Sequence, residues 1–104
     1  MLAPDGLNLE TSTDGDVDVI TLGGEVDFGN VSRLRSALVE LAQNDRDVVI
    51  RMDEVGFVDS TALGVLVQGR KRFEESGREL RLTGVAPRVR RTLEVAGLAE
   101  YLGV

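Results

Sequence analysis

Residues 55–66 are Val55-Gly56-Phe57-Val58-Asp59-Ser60-Thr61-Ala62-Leu63-Gly64-Val65-Leu66, and they contain the clearest helix start in the chain. Asp59-Ser60-Thr61 is a cluster of residue types that cap helix N-termini. The apolar run after it predicts a helix that reaches about Ser76. Gly77 ends this helix, because glycine readily adopts the left-handed conformation that commonly follows the last helical turn. Ser60 is therefore predicted at the first turn, where free backbone N–H groups and the positive end of the helix dipole meet solvent.

The Ser60 hydroxyl in this segment has two possible roles. It can cap the helix, which is the ordinary role of such a residue, or it can carry a phosphoryl group that the same N–H groups would stabilise. Apolar residues follow nearly all round the helix, so this end is either deeply buried or in contact with a partner: Ala62, Leu63, Val65, Leu66 and Val67. Gly64 and Gly69 each lower the stability of the helix by about 1 kcal/mol relative to alanine. Glycine at such positions predicts that another part of the protein approaches the helix backbone closely.

The N-terminal part of the chain predicts a β-hairpin. Leu7 and Leu9 alternate with polar neighbours, as in a half-buried strand. Residues 13–16 have turn chemistry, and residues 17–22 form a second strand antiparallel to the first. We expect Gly23-Gly24 to end that strand.

A helix and a central strand are predicted next. Asn30 is a good N-cap for a helix that reaches about Gln43. Residues 47–52 are predicted to form a short strand. It is rich in β-branched residues and apolar on both sides, as expected in the middle of a covered sheet. The helix has one apolar stripe: Val31, Leu34, Leu38 and Leu41.

The C-terminal part predicts one more strand and one more helix. Residues 80–83 alternate as a fourth strand, and Pro87 fits the first position of a third helix. Gly97-Leu98 closes that helix, whose inner face carries Val89, Leu93 and Ala96. The order β-β-α-β-α-β-α indicates an α/β fold with a mixed sheet of four to five strands covered by helices.

The charge distribution argues against nucleic acid as a partner. The 104 residues carry 18 acids and 12 bases, and residues 1–29 contain seven acids and no base. Non-specific nucleic-acid binding requires clustered cations, and the best basic run is interpreted as a solvated helix face: Arg88, Arg90 and Arg91. No apolar run approaches about 18 residues, so no membrane span is predicted, and the N-terminus does not resemble a secretory signal.

The residue types that are missing exclude several kinds of chemistry. The chain has no cysteine and no histidine, which excludes disulfides, thiol nucleophiles, imidazole bases and the usual zinc sites. A phosphate-binding loop of the form GxxxxGK[ST] is also absent, so we predict no enzyme and no cofactor or metal site. A phospho-receiver domain would use a carboxylate such as Asp53 with a lysine late in the chain, whereas Lys71 falls in the second helix.

Three segments together resemble a known family. Residues 57–66 resemble the phosphorylation-site motif of bacterial anti-sigma factor antagonists, which belong to the STAS domain family. Gly24-Glu25-Val26-Asp27 is similar to that family's Gly-Glu-[Leu/Ile]-Asp segment, and residues 87–98 are similar to its last major helix. The resemblance covers about residues 7–102 and implies a single STAS domain over residues 1–104. Ala62 departs from the motif, since many members have glycine there.

The resemblance implies a cytoplasmic partner-switching regulator. In that family the unphosphorylated protein binds an anti-sigma factor that is also a serine kinase, and so frees the sigma factor. The kinase then phosphorylates the serine that matches Ser60, the complex dissociates, and a PPM-type phosphatase restores the serine. Thr61 is a minor candidate acceptor. We expect the free protein to be a monomer.

The candidate partner-binding residues are clustered around the acceptor: Asp27, Asp59, Ser60, Thr61, Leu63 and Gly64. Asp59 either positions the acceptor loop or simply caps the helix, and Asp27 either contacts the kinase or is a loop carboxylate. Glu25 is expected to be a solvated residue at a strand end, and Asp53 and Glu54 exposed acids in a turn. The competing hypothesis is a STAS module that is not phosphorylated, serving as a scaffold in a stress-sensing assembly or as an accessory of a lipid transporter.

Overall fold

The computed structural model describes residues 3–104 and contains the seven elements in the predicted order. They are β1 (Leu7–Asp14), β2 (Val17–Val26), α1 (Val31–Leu41), β3 (Asp47–Val58), α2 (Ser60–Glu75), β4 (Leu80–Thr83) and α3 (Pro87–Val95). The four strands lie side by side in the order β1-β2-β3-β4. β1 is antiparallel to β2, whereas β2, β3 and β4 are parallel. The mixed sheet predicted from the sequence is therefore confirmed.

The predicted end of β2 at Gly23-Gly24 is wrong, because the strand continues to Val26. Gly23 pairs with Asn8 on one side and with Glu54 on the other, so neighbouring strands hold it in extended conformation. These tertiary contacts outweigh the low strand propensity of glycine. For the same reason β3 extends to Val58. Asp53 and Glu54 are exposed as predicted, but they lie within this strand and not in a turn.

The core lies on the helix-covered side of the sheet. Ile20, Ile50 and Leu82 are neighbours across β2, β3 and β4, and all three are buried. The next row along the strands has Arg51 between Thr21 and Thr83, and these side chains are exposed. The expectation that β3 is apolar on both sides therefore holds only in part. Apolar residues of all four strands and all three helices join the same core cluster.

Two glycines of α2 differ in their surroundings. A Cβ on Gly69 would lie 3.0 Å from Cδ1 of the Leu38 side chain, so the backbone of α2 is closely approached there, as predicted, and the neighbour is α1. Gly64 is exposed, and a Cβ added to it would meet no atom within 4 Å. The same prediction for Gly64 is therefore wrong: the residue leaves open backbone on the outside of the helix.

The helices bury the stripes that the sequence predicts, with two exceptions, of which one is Leu41 of α1, only half-buried against the core. Val31, Leu34 and Leu38 of α1 are buried, as are Val89 and Leu93 of α3. Ala96 lies beyond the last residue of α3 as its C-cap and is exposed, so its predicted place on the inner face is wrong. Arg88, Arg90 and Arg91 are exposed on α3, as predicted. No helix within residues 3–104 has the length and apolar content needed to cross a bilayer.

Candidate functional site

The candidate site forms where β2 and β3 end side by side. Val26 and Val58 are paired at the ends of these parallel strands. The backbone N–H of Asp59 donates to the carbonyl oxygen of Val26 at 3.1 Å, which ties the start of α2 to the end of β2. As a result, residues 27–30 lie next to the first turn of α2.

Asp59 holds the two parts of the site together. One of its carboxylate oxygens, Oδ1, accepts a hydrogen bond from the N–H of Ala62 at 2.9 Å, which caps α2. The other, Oδ2, accepts from the N–H of Phe28 at 2.9 Å. The sequence left open whether Asp59 caps the helix or positions the loop. In the structure one carboxylate makes both sets of contacts.

Ser60 is the first residue of α2, and its side chain is exposed. The capping side chain is that of Asp59, so the structure does not assign the cap to the Ser60 hydroxyl. Thr61 is half-buried beside it. An exposed hydroxyl at this position is accessible to a phosphoryl donor, and the positive end of the helix dipole favours a negative charge there.

The loop that faces Ser60 is braced by Asn30. This residue occupies the predicted N-cap position of α1, but its side chain does not cap the helix. It is 1% exposed, and its Oδ1 accepts from the N–H of Asp27 at 2.9 Å. Its Nδ2 donates to the carbonyl oxygens of Asp5 at 2.9 Å and Glu25 at 3.0 Å. Asn30 therefore fixes the shape of the loop.

Asp27 makes hydrogen bonds to nearby residues of this loop and of the start of α1. Its Oδ1 accepts a hydrogen bond from the N–H of Gly29 at 2.9 Å, and its carbonyl oxygen accepts from the N–H of Val31 at 2.8 Å. Asp27 is only half-buried. Glu25 is exposed at the end of β2, as predicted.

The segment before β1 is fastened to the same loop. Asp5 forms an ion pair with Arg33 of α1, with 2.9 Å between Asp5 Oδ2 and Arg33 Nη1. The N–H of Leu7, and after it Arg33, hold the pKa of Asp5 below its ordinary value. Because the carbonyl of Asp5 also accepts from Asn30, this ion pair supports the loop from outside.

The remaining predicted contact residues differ in accessibility. Leu63 is 8% exposed and belongs to the core, which leaves little of its side chain for a partner. Gly64 is exposed and lies four residues after Ser60, so the two share one face of α2.

Two aromatic residues at this end of the sheet were missed in the sequence interpretation. Phe28 is 81% exposed, and Phe57 is 47% exposed. The available signal was an aromatic residue in the polar segment 27–30, where no periodic pattern assigns it to a core. Within residues 3–104, no group of three or more acidic side chains is arranged to hold a metal ion.

Comparisons with known proteins place this fold in a defined class. Residues 8–104 match the family model of the STAS domain. The chain therefore belongs to the STAS domain family, as the resemblance predicted. It is 33% identical over 99 residues to the anti-sigma-B factor antagonist of Staphylococcus aureus (strain NCTC 8325 / PS 47), and the match covers 94% of this chain and 92% of that protein.

Solved structures share the fold. An anti-sigma factor antagonist from Mycobacterium paratuberculosis superposes with a TM-score of 0.86 at 21% identity, covering 98% of this chain and 87% of that one. The anti-sigma factor antagonist SpoIIAA in its unphosphorylated form gives a TM-score of 0.78 at 21% identity, with 90% and 84% coverage. SpoIIAA from Bacillus in the phosphorylated form gives 0.72 at 18% identity, with 90% and 87% coverage.

Proposed function

We propose that this protein is an anti-sigma factor antagonist that works by partner switching. Its unphosphorylated form binds an anti-sigma factor that is also a serine kinase, and the bound sigma factor is released. The observation that carries the proposal is the exposed Ser60 at the first position of α2, with its helix capped by the neighbouring Asp59. The relative from Staphylococcus aureus, which matches over nearly the full chain, is named an anti-sigma-B factor antagonist.

Phosphorylation of Ser60 ends the interaction. The kinase transfers the γ-phosphoryl group of ATP to Ser60 Oγ: the new O–P bond forms, the hydroxyl proton leaves and ADP is released. Thr61 is a minor acceptor. The added group carries about −1.5 to −2 charges at neutral pH. Asp59 directly precedes it, and the loop bonded to Asp59 carries Asp27. At a closed interface this dianion loses its water without a cation to replace it, so the complex dissociates.

The dephosphorylated state returns when a PPM-type phosphatase hydrolyses the phosphoserine. That SpoIIAA, a protein of the same fold, has been solved in unphosphorylated and phosphorylated forms supports a cycle of this kind. The fold tolerates the phosphoryl group, because the N-terminus of α2 favours negative charge. Charge therefore acts on the interface and leaves the domain folded.

The surface that meets the kinase is centred on Ser60. Gly64 lies on the same face of α2, and its lack of a side chain lets another backbone approach closely. Asp27 and Asp59 shape the adjoining loop. Thr61 is half-buried beside the acceptor, and the buried Leu63 supports this surface from the core. We place the protein in the cytoplasm as a single STAS domain that is monomeric when free. It requires no cofactor, metal, nucleic acid or membrane, and it is a substrate of its kinase and not an enzyme.

A displacement experiment tests this function. The anti-sigma factor kinase encoded nearest to the gene of this protein is first bound to its sigma factor, and the unphosphorylated protein is then added without ATP. We expect the sigma factor to leave the complex and this protein to replace it, as measured by size-exclusion chromatography. If the sigma factor stays bound at a molar excess of the protein, the antagonist function is wrong and the scaffold or transporter-accessory hypothesis takes its place.

A further inference from the structure

The distribution of phenylalanine is unusual. The chain has three of these residues, and Phe73 is fully buried in the core. Phe28 and Phe57 are instead 81% and 47% exposed. A buried aromatic side chain removes about 150–250 Å² from water, and this burial stabilises the fold. Phe28 and Phe57 contribute only part of that stabilisation, because much of each side chain remains in solvent. Exposed apolar surface of this kind commonly marks an interaction site.

Both exposed aromatic residues lie at the end of the sheet that carries Ser60. Phe57 is paired with Glu25 across β3 and β2, two residues before Asp59. Phe28 follows Val26, the last residue of β2, by two positions. Its backbone nitrogen is 2.9 Å from the Asp59 carboxylate, and Asp59 immediately precedes Ser60. The backbone of Phe28 is therefore one hydrogen bond away from the residue that precedes the acceptor.

The backbone of Phe28 is held in place before any partner binds. Its N–H is bonded to Asp59, and the residues on either side are fixed by the Asp27–Gly29 hydrogen bond and by Asn30. Binding then costs little backbone entropy, which is the general advantage of a preorganised contact. The ring of Phe28 contributes little to the stability of the fold, because most of it is in solvent.

We propose that Phe28 is the apolar anchor by which this protein docks on its anti-sigma factor kinase. This inference rests on the proposed function and adds a residue outside the acceptor motif. The partner surface it requires is a nonpolar pocket, because Phe28 is 81% exposed on a loop that Asp59 joins to the acceptor position.

An anchor and a phosphoacceptor have separable kinetic effects. Phe28 supplies binding free energy that is equal before and during phosphoryl transfer, so its loss raises KM and leaves kcat nearly unchanged. Ser60 supplies the reacting oxygen, so its loss abolishes turnover. The two roles can be measured in one set of variants.

The test compares Phe28→Ala with Val95→Ala, a control that truncates a side chain 83% exposed on α3. Isothermal titration with the same kinase gives Kd, and the rate of Ser60 phosphorylation gives kcat and KM. We expect Phe28→Ala to weaken binding about 30-fold or more, the loss of a typical interface hot spot. KM should rise in parallel, while kcat and the thermal unfolding midpoint stay near the values of the unsubstituted protein. Val95→Ala should bind normally, and Phe28→Leu should recover most of the affinity.

Several results would contradict the proposal that Phe28 anchors the kinase. Normal kinase affinity in Phe28→Ala, an equal loss in Val95→Ala, or a fall in kcat at constant KM would each contradict it while leaving the antagonist function intact. Sedimentation that shows a dimer of the unsubstituted protein, lost in Phe28→Ala without a change in kinase affinity, would assign the ring to self-association instead. If the unsubstituted protein does not bind the kinase, the proposed function fails and the anchor fails with it.

Discussion

Ser60→Asp binds the anti-sigma factor kinase about a thousand-fold more weakly than Ser60→Ala, since a penalty near 4 kcal/mol corresponds to three decades at 1.4 kcal/mol each. The introduced carboxylate has to lose its water at the proposed interface, next to Asp59 and the loop that carries Asp27. Alanine adds no charge. Isothermal titration of both variants against the kinase measures the difference.

The fold provides the control for this comparison. Asp at position 60 lies at the N-terminus of α2, where the helix dipole favours negative charge. The thermal unfolding midpoint of Ser60→Asp should therefore equal or exceed that of Ser60→Ala, which separates an interface effect from misfolding. ATP should release the unsubstituted protein from the kinase but leave Ser60→Ala bound. Equal affinity of the two variants for the kinase would contradict the switch.

Asp59→Ala lowers the free energy of unfolding by about 2 kcal/mol, because it removes an N-cap and a second hydrogen bond to a backbone N–H. The lost partners are the N–H groups of Ala62 and Phe28. The unfolding midpoint should fall by about 8–16 °C, at 4–8 °C per kcal/mol for a domain of this size. Thermal and urea denaturation followed by circular dichroism measure both quantities.

Asp27→Ala is the matched control for Asp59→Ala. The Asp27 carboxylate accepts from the N–H of Gly29, two residues away, so its removal breaks a contact within the loop and not between elements. We expect it to cost less than half as much stability. Asp59→Asn retains one oxygen acceptor and should give an intermediate loss. Equal destabilisation by Asp59→Ala and Asp27→Ala would show that Asp59 does not join the loop to α2.

The order of elements was predictable because its signals are local. The turn at residues 13–16, the cap cluster at 59–61 and the glycines after α2 and α3 each act within a few residues. In the structure Gly77 and Gly97 have φ of +74°, in the left-handed region expected after a helix. The start of α2 was predictable for the same reason, since capping residues directly precede an apolar run.

The lengths of β2 and β3 were not predictable, because they depend on pairing between segments distant in sequence. Gly23 remains in a strand only because Asn8 and Glu54 flank it. Arg78 illustrates the same limit. Its guanidinium donates to the carbonyl oxygen of Ala42 at 2.7 Å, across 36 residues, and thereby satisfies a carbonyl just past the end of α1. No local pattern marks such a contact.

In the site, residue type predicted where the helices begin but not which side chains form the caps. Asn30 was correctly placed at the start of α1, but its side chain bonds to Asp5, 25 residues away, and not to the helix. Asp59 and Ser60 are both good caps by composition, and only geometry shows that Asp59 supplies the cap. The exposure of Phe28 follows from the bracing of its loop, which requires these long-range contacts.

The most direct measurement is the intact mass of the protein after incubation with ATP, magnesium and the anti-sigma factor kinase encoded nearest to its gene. We expect a gain of one phosphoryl group that is lost in Ser60→Ala and retained in Thr61→Ala. No gain with a kinase shown to be active would contradict regulation by phosphorylation. A gain that persists in Ser60→Ala would show that the acceptor is another residue.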